Sequence, residues 1–252
     1  MNSHTRYLFL TTCACIALSG CGATAASTSG GVPTAAGGAS SSATAGAASG
    51  GGPAASSASI PYPTAVGDTW VYKDTFPESG QTSTTTDKVV ASTSVADGHR
   101  VTIIHTTDVA SVRLTFVFHS DGSINYPFAE TGGQTASAGS SVLWPSAAVI
   151  ASGRPVHERV TIHAGGAGAQ TDVVPVTVQG GGTATVTVPA GTYQATLVIV
   201  TMVVTAGGTA ETVTVKSWFA PGVGPVKGEQ IITRAGSTTT FHISELTSFT
   251  GH

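Results

Sequence analysis

Residues 193–205 read YQATLVIVTMVVT, and residues 211–219 read ETVTVKSWF. The pair Gly207-Gly208 lies between them. Runs rich in β-branched residues and divided by a glycine turn are typical of two strands joined as a hairpin. Strands joined this tightly must be antiparallel, because parallel pairing needs a long crossover connection. The sequence therefore predicts an antiparallel hairpin over these residues.

The faces of this hairpin follow from its register. Pairing Thr205 with Ala210 puts Met202 opposite Val213. Side chains alternate between the two faces of a strand, so the first run is apolar on both faces, whereas the second presents valine on one face and threonine or lysine on the other. A strand that is apolar on both faces is expected to lie centrally and to be covered on both sides. One side of the second strand then faces solvent, or faces something apolar outside this chain.

Similar runs continue through residues 60–252 and are divided by turn signals such as Asp97-Gly98 and the glycines at 180–182. They predict one all-β domain with about a dozen strands. The stretch 129–155 carries little strand signal. It predicts at most one short helix, near residues 145–152, because proline is tolerated in the first helical turn. This stretch either closes an open end of a barrel or is a poorly ordered insertion.

The composition excludes several classes of protein. Charged residues are 9% of the 252 residues, and glycine occurs 32 times. A coiled coil or helical bundle would be rich in glutamate, lysine, arginine and leucine. The chain has 10 Lys and Arg against 13 Asp and Glu, for a net charge of −3. Without a basic run to pair with phosphates, nucleic acid is not an expected partner.

Residues 1–20 have the pattern of a secretory leader, with Arg6 followed by an apolar run that is too short to span a membrane. The sequence LSGC at 18–21 matches the lipobox of bacterial lipoproteins. This resemblance implies cleavage between Gly20 and Cys21 and a lipid on the Cys21 sulfur. It implies a protein outside the cytoplasm, anchored by lipid to the cell membrane or the outer membrane. The alternative is an ordinary signal peptide with an incidental cysteine.

Residues 21–59 follow as a linker built almost entirely from alanine, glycine, serine and threonine. Such a segment cannot bury enough apolar area to offset chain entropy, so we expect it to be disordered. As a flexible chain it would span about 35 Å. It is either a spacer that lifts the domain off the membrane or the result of compositional drift.

Motifs that carry catalysis are missing from the sequence. It contains no HExxH zinc motif, no G-x-S-x-G serine-hydrolase motif and no phosphate-binding glycine loop. Asp68, Asp74 and Glu78 cluster near the start of the domain, but an exposed acidic edge accounts for them. We therefore predict no catalytic residue, no metal ligand and no cofactor, and we do not expect an enzyme.

One histidine cluster is predicted. If residues 101–107 and 112–119 form a hairpin, His119 falls opposite Arg100 and beside His99. A solvated strand end explains such a cluster better than a metal or catalytic site does.

Aromatic residues recur at the two-residue spacing of one strand face, as in Trp70 with Tyr72 and Phe116 with Phe118. Trp218 follows late in the chain. These side chains either pack in the core or line a cavity for an apolar or carbohydrate ligand. They are the predicted ligand-binding residues.

Four segments resemble a domain family of uncharacterised bacterial lipoproteins, with YPTAVGDTWVY at 62–72, VPAGTY at 188–193, WFAPGVGPVK at 218–227 and ELTSF at 245–249. Pro225 stands where that family usually has a large apolar residue. The resemblance implies one strongly curved antiparallel sheet, a half-barrel or open barrel. That fold is similar to the carriers of lipoprotein localisation, which hold acyl chains in an apolar concavity.

Two functional hypotheses follow. The first is a non-enzymatic, lipid-anchored domain of the cell envelope that binds an apolar small molecule or lipid in its concave face. The alternative is a structural module, or a module that interacts with protein or glycan, with a closed core and no ligand. A contiguous apolar cavity of about 300 Å³ or more would favour the first.

Overall fold

The computed structural model describes residues 62–252, except 126–127, 132–133, 138–141, 166–169 and 207–208. The predicted leader at 1–20, the lipidation site at Cys21 and the linker at 21–59 lie outside the described residues. Among the residues that are described, no helix is long and apolar enough to cross a membrane.

The described residues form fourteen β-strands and one short helix. Valine, threonine and isoleucine dominate the strands, because branched side chains pack well on a pleated surface. The strands are β1 (Thr69–Phe76), β2 (Gln81–Val95), β3 (Gly98–Thr106), β4 (Ser111–His119), β5 (Ile124–Asn125), β6 (Phe128–Thr131), β7 (Gln134–Ser137), β8 (Val142–Trp144), β9 (Val156–Gly165), β10 (Gln170–Val188), β11 (Gly191–Ala206), β12 (Thr209–Ala220), β13 (Gly224–Arg234) and β14 (Ser237–Thr250), and the helix is α1 (Ala147–Ser152).

All strands belong to one sheet in the order β3-β2-β1-β14-β13-β12-β11-β10-β9-β7-β6-β4-β5-β8. All of these strand pairs are antiparallel. β3, which begins this order, pairs with β2 on one side and with β4 on the other. The predicted all-β domain on a single antiparallel sheet, with one short helix near 145–152, is confirmed. The strong curvature of a half-barrel or open barrel stays a prediction, which is based on the family resemblance.

The predicted register of the β11–β12 hairpin is confirmed, since Thr205 pairs with Ala210 and Met202 with Val213. Met202 and Val213 are buried. The outer face of β11 differs from the expectation, because Val203 is 44% exposed and Val173 of the neighbouring β10 is 55% exposed. The backbone ladders to β10 and β12 hold β11 in place, and its outer side is not covered at this end.

The glycines at 180–182 do not form the predicted turn. They lie inside the single strand β10, where the pairing with β11 shifts between Gly180 and Thr183. A Cβ on Gly180 would lie 2.0 Å from the Ile150 carbonyl oxygen, and one on Gly181 would lie 2.6 Å from Leu197 Cδ2. Gly180 therefore permits close packing of the α1 backbone on the strand, and Gly181 leaves room for the Leu197 side chain, a role glycine often has inside strands.

The stretch 129–155 is anchored to the core at two places. Trp144 is buried, and its ring meets that of Phe219 edge-on with 4.4 Å between centroids. Ile150 of α1 is also buried, and the helix ends at Gly153 in the left-handed conformation. These contacts make the described part of the stretch a packed element of the domain.

Candidate functional site

A row of aromatic rings runs across the inner face of β1 and β4. We call it the aromatic row; it consists of Phe249, Trp70, Tyr62, Phe118 and Phe116. Successive ring centroids in this order are 5.3, 5.4, 4.9 and 5.7 Å apart. These separations lie in the range over which aromatic pairs attract one another. The row joins the start of the described chain to the strand β4.

Trp70 and Tyr72 are fixed by hydrogen bonds as well as by burial. Trp70 Nε1 donates to the Val223 carbonyl at 2.5 Å, and the Tyr72 hydroxyl donates to the Pro225 carbonyl at 3.1 Å. Burial, with help from nearby Asp87, holds the pKa of Tyr72 well above its usual range. Both polar atoms therefore form hydrogen bonds within the protein, and these two side chains are part of the core.

Trp218 does not join the other four predicted ligand-binding residues. Its neighbours Ser217 and Phe219 on β12 are buried on the inner face, so Trp218 alternates to the outer face. There the Lys227 ammonium lies 5.5 Å from its ring centroid, a cation–π contact. The structure thus separates the predicted set into an inner group and one outer residue.

An open cleft of about 250 Å³ lies at the Tyr62 and Phe118 end of the aromatic row. Three segments surround it: the start of the described domain, the first residues of β3, and the residues from the end of β4 to the start of β5. The stacked rings of Tyr62 and Phe118 form its apolar wall. The cleft is lined by Tyr62, Thr64, Gly98, His99, Phe118, His119, Ser120, Gly122, Ser123 and Ile124.

The polar side of the cleft is organised by Asp97. His119 Nδ1 lies 3.2 Å from Asp97 Oδ2, and its Nε2 lies 3.3 Å from Asn125 Oδ1. The Ser120 hydroxyl donates to Asp97 Oδ1 at 2.5 Å. This hydrogen bond, more than the one with His119, lowers the pKa of Asp97. His119 faces Gly98, so the predicted position opposite Arg100 is wrong by two residues.

A second polar group is buried on the inner face of six strands that are consecutive in the sheet. We call it the polar belt, and its members are Asp74, Thr85, Asp87, His105, Ser217, Gln230, His242 and Ser244. His242 Nε2 lies 3.0 Å from Asp74 Oδ1, and Thr85 Oγ1 donates to Asp74 Oδ2. His105 Nδ1 lies 2.6 Å from Asp87 Oδ1.

The predicted acidic edge is wrong for two of its three members. Asp74 is fully buried, and Asp68 is buried with its carboxylate accepting hydrogen bonds from two backbone N–H groups, those of Ala65 and His252. Glu78 is exposed. A signal for Asp74 exists in the sequence, because it follows Trp70 and Tyr72 at the two-residue spacing of one strand face.

The surroundings of His105 in the belt favour its charged form. Burial opposes charge on His105, but the charge of Asp87 and its hydrogen bond outweigh burial and raise the pKa of His105. Within the described part of the chain, no three His, Cys, Asp or Glu side chains come together as a metal site would need.

Comparison with protein families agrees with part of the resemblance seen in the sequence. A family model described as DUF3108-like matches residues 152–236. This stretch contains the whole of the VPAGTY and WFAPGVGPVK segments. The chain is thus similar to DUF3108-like domains over this stretch. No curated protein matches the chain.

Two solved structures resemble the domain. One is described as a "putative exported protein with YmcC-like fold" from Bacteroides fragilis; it is 15% identical, with a TM-score of 0.51 over 77% of this chain and 100% of that one. The other is a "putative lipoprotein" from Parabacteroides distasonis, 15% identical, with a TM-score of 0.48 over 75% of this chain and 97% of that one. At this identity a likeness shows the fold alone. The chain therefore shares the YmcC-like fold of the first structure.

Proposed function

We propose that this chain is a lipid-anchored, non-catalytic binding protein of the cell envelope whose cleft takes a sugar ring of a glycan. The observation that carries the proposal is the cleft itself. It combines a wall of two stacked aromatic rings with a rim of imidazole and hydroxyl groups.

The chemistry of the cleft suits a ligand with one apolar face and a polar edge. The C–H face of a sugar ring packs on an aromatic ring, as any flat apolar surface does. Its hydroxyl groups both donate and accept hydrogen bonds, and so do the side chains of His99 and Ser123 at the rim. The Ser120 hydroxyl, which donates its proton to Asp97, can accept from the ligand. A few polar groups around an apolar wall are the usual composition of a small-molecule site.

The size of the cleft limits the ligand. Its volume of about 250 Å³ is close to the lower bound of about 300 Å³ for ligand pockets. It therefore suits one sugar ring, with the remainder of a glycan extending through the open side.

The polar belt argues against an acyl chain held in the interior, which was the first hypothesis from the sequence. A lipid tail on this inner face would have to pack beside the buried carboxylates of Asp74 and Asp87. It would leave their remaining hydrogen-bonding capacity unmet in an apolar environment, which costs free energy. This favours the alternative hypothesis, a structural module or a module that interacts with protein or glycan, whose closed core holds no ligand.

The rim of the cleft lacks the arrangement of a hydrolytic triad. A serine nucleophile needs a histidine that accepts its proton, with an acid behind that histidine. Here Ser120 and His119 both bind Asp97, so the acid stands between them. This supports a binding role.

The location outside the cytoplasm is supported by the leader and the lipobox cysteine Cys21. A protein of similar fold is described as exported. Expression of the full chain with Cys21→Ser in a bacterial host, with metabolic labelling by an alkyne fatty acid, tests the anchor. We expect label and membrane association for the unchanged chain and neither for the variant; equal label on both would contradict lipidation at Cys21.

The cleft is tested by titrating the full chain with N-acetylglucosamine oligosaccharides, after a glycan array has been screened for other sugars. We expect binding that Phe118→Leu weakens at least tenfold. Trp218→Leu is the matched control, because it removes an aromatic ring from the outer face and should leave affinity unchanged. The proposal fails if no glycan binds, or if Phe118→Leu binds as well as the unchanged chain.

A further inference from the structure

Two polar atoms of the polar belt, and one of a residue that pairs with its member Asp74, have no hydrogen-bond partner among the described residues. They are Ser83 Oγ, His105 Nε2 and Ser244 Oγ. Ser244 is fully buried and His105 is 1% exposed. Buried polar atoms are almost always satisfied, and each exception needs an explanation.

Two of these atoms flank one buried carboxylate. In the sheet register, Asp74 of β1 pairs with Ser83 of β2 on one side and with Ser244 of β14 on the other. Asp74 already accepts a hydrogen bond from Thr85 on Oδ2 and contacts His242 through Oδ1. Each carboxylate oxygen has a second lone pair, so Asp74 keeps capacity for further donors.

The third atom lies farther along the same face. His105 Nδ1 is engaged by Asp87, which leaves Nε2 on the opposite side of the imidazole ring. Whether this nitrogen carries a proton or a lone pair, it needs a polar neighbour. A ligand that satisfies all three atoms must be able both to donate and to accept.

Water is the ligand class that meets these requirements. It is small enough to fit between packed side chains, and it both donates to carboxylates and accepts from hydroxyls. A metal cation does not fit His105 Nε2 together with the two hydroxyls, because the described residues bring no three His, Cys, Asp or Glu side chains together.

We propose that the polar belt is an internal water-binding site, with ordered water held beside Asp74 by Ser83 and Ser244 and further water bound at His105 Nε2. The interior of this half of the domain is then hydrated. This inference is independent of the glycan cleft, which lies at the surface.

The sign of a stability change tests this inference. If water binds the Ser244 hydroxyl, Ser244→Ala removes a satisfied hydrogen bond, and we expect the melting temperature of the full chain to fall by about 2–4 °C. If the hydroxyl is dry and unpartnered, the same change relieves a penalty and raises the melting temperature. Ser83→Ala should behave like Ser244→Ala.

Ser248→Ala is the matched control, because Ser248 lies on the same strand and is exposed. It should leave the melting temperature unchanged and so isolate the effect of burial from that of strand propensity. A melting temperature that rises or stays level in both Ser83→Ala and Ser244→Ala overturns the proposal.

A second readout is independent of stability. In a water-selective NMR experiment, backbone amides of Asp74 and Ser244 should show cross-relaxation with long-lived water, and the amide of the buried apolar Val215 should not. Absence of the signal at both polar positions also overturns the proposal.

Discussion

The rim of the cleft and the polar belt use the same residue types in opposite surroundings. At the rim, Asp97 binds His119 and Ser120 in water. In the belt, Asp74 binds His242 and Thr85 with no exposure to solvent. A group of one aspartate, one histidine and one hydroxyl is thus exposed to solvent in one region and buried in the other. The comparison teaches that burial, more than residue type, decides whether such a group can bind a ligand or only stabilises the fold.

The largest effect is expected from breaking the belt at its centre. Asp74→Asn replaces the carboxyl group that accepts a hydrogen bond from Thr85 and lies 3.0 Å from His242 Nε2. Removing one member of a buried, hydrogen-bonded pair costs about 3–5 kcal/mol. Urea unfolding of the full chain, followed by tryptophan fluorescence, measures this cost. A loss below about 1 kcal/mol would show that the belt tolerates an uncharged centre.

A smaller effect is expected from pH. The folded-state pKa of His105 is raised above its ordinary value of 6.5. Its contribution to the free energy of unfolding is therefore fully present below pH 6.5 and is lost as pH rises through the folded pKa. Urea titrations from pH 5 to pH 9 should show this loss, and His105→Gln should flatten it. A slope that stays the same in His105→Gln would contradict the pairing of His105 with Asp87.

A substitution in the cleft wall should lower the free energy of unfolding only modestly. Phe118→Leu keeps an apolar side chain of related size, so we expect a loss of about 1 kcal/mol in the same urea titration. The same variant should lose glycan binding. A large effect on binding with a small effect on stability would separate the role of the wall from that of the core. A loss of stability as large as that of Asp74→Asn would place Phe118 in the structural core.

The smallest effect is expected at the rim. Asp97 is solvent-exposed, and exposed pairs contribute little to stability. Asp97→Asn should therefore leave the melting temperature unchanged within error, in contrast to Asp74→Asn. A clear drop in the melting temperature of Asp97→Asn would mean that the exposed rim contributes to stability as the buried belt does, contrary to this expectation.

The sequence predicts best where the determinants are local. The β11–β12 register follows from two alternating runs across one turn, and Thr205 does pair with Ala210. The turn predicted at glycines 180–182 is wrong for the same reason, because a run of glycines is typical both of a turn and of a bulge within a strand. Their role depends on Ile150, about thirty residues earlier in the chain, and no local pattern reports that contact.

The candidate site was only partly predictable. Phe118 is among the predicted ligand-binding residues, but Tyr62 is not, and Tyr62 is the ring that joins Phe118 to Trp70. The belt is harder to predict, since Asp74 meets a histidine 168 positions away. Acidic residues are usually exposed, so the default expectation for Asp74 was the wrong one.

Tyr62 belongs at once to the buried aromatic row and to the wall of the open cleft. Its ring centroid lies 5.4 Å from that of Trp70 on one side and 4.9 Å from that of Phe118 on the other. A molecule that moves the Tyr62 ring on binding in the cleft would therefore change the surroundings of the buried Trp70, so tryptophan fluorescence should report occupation of a site that contains no tryptophan.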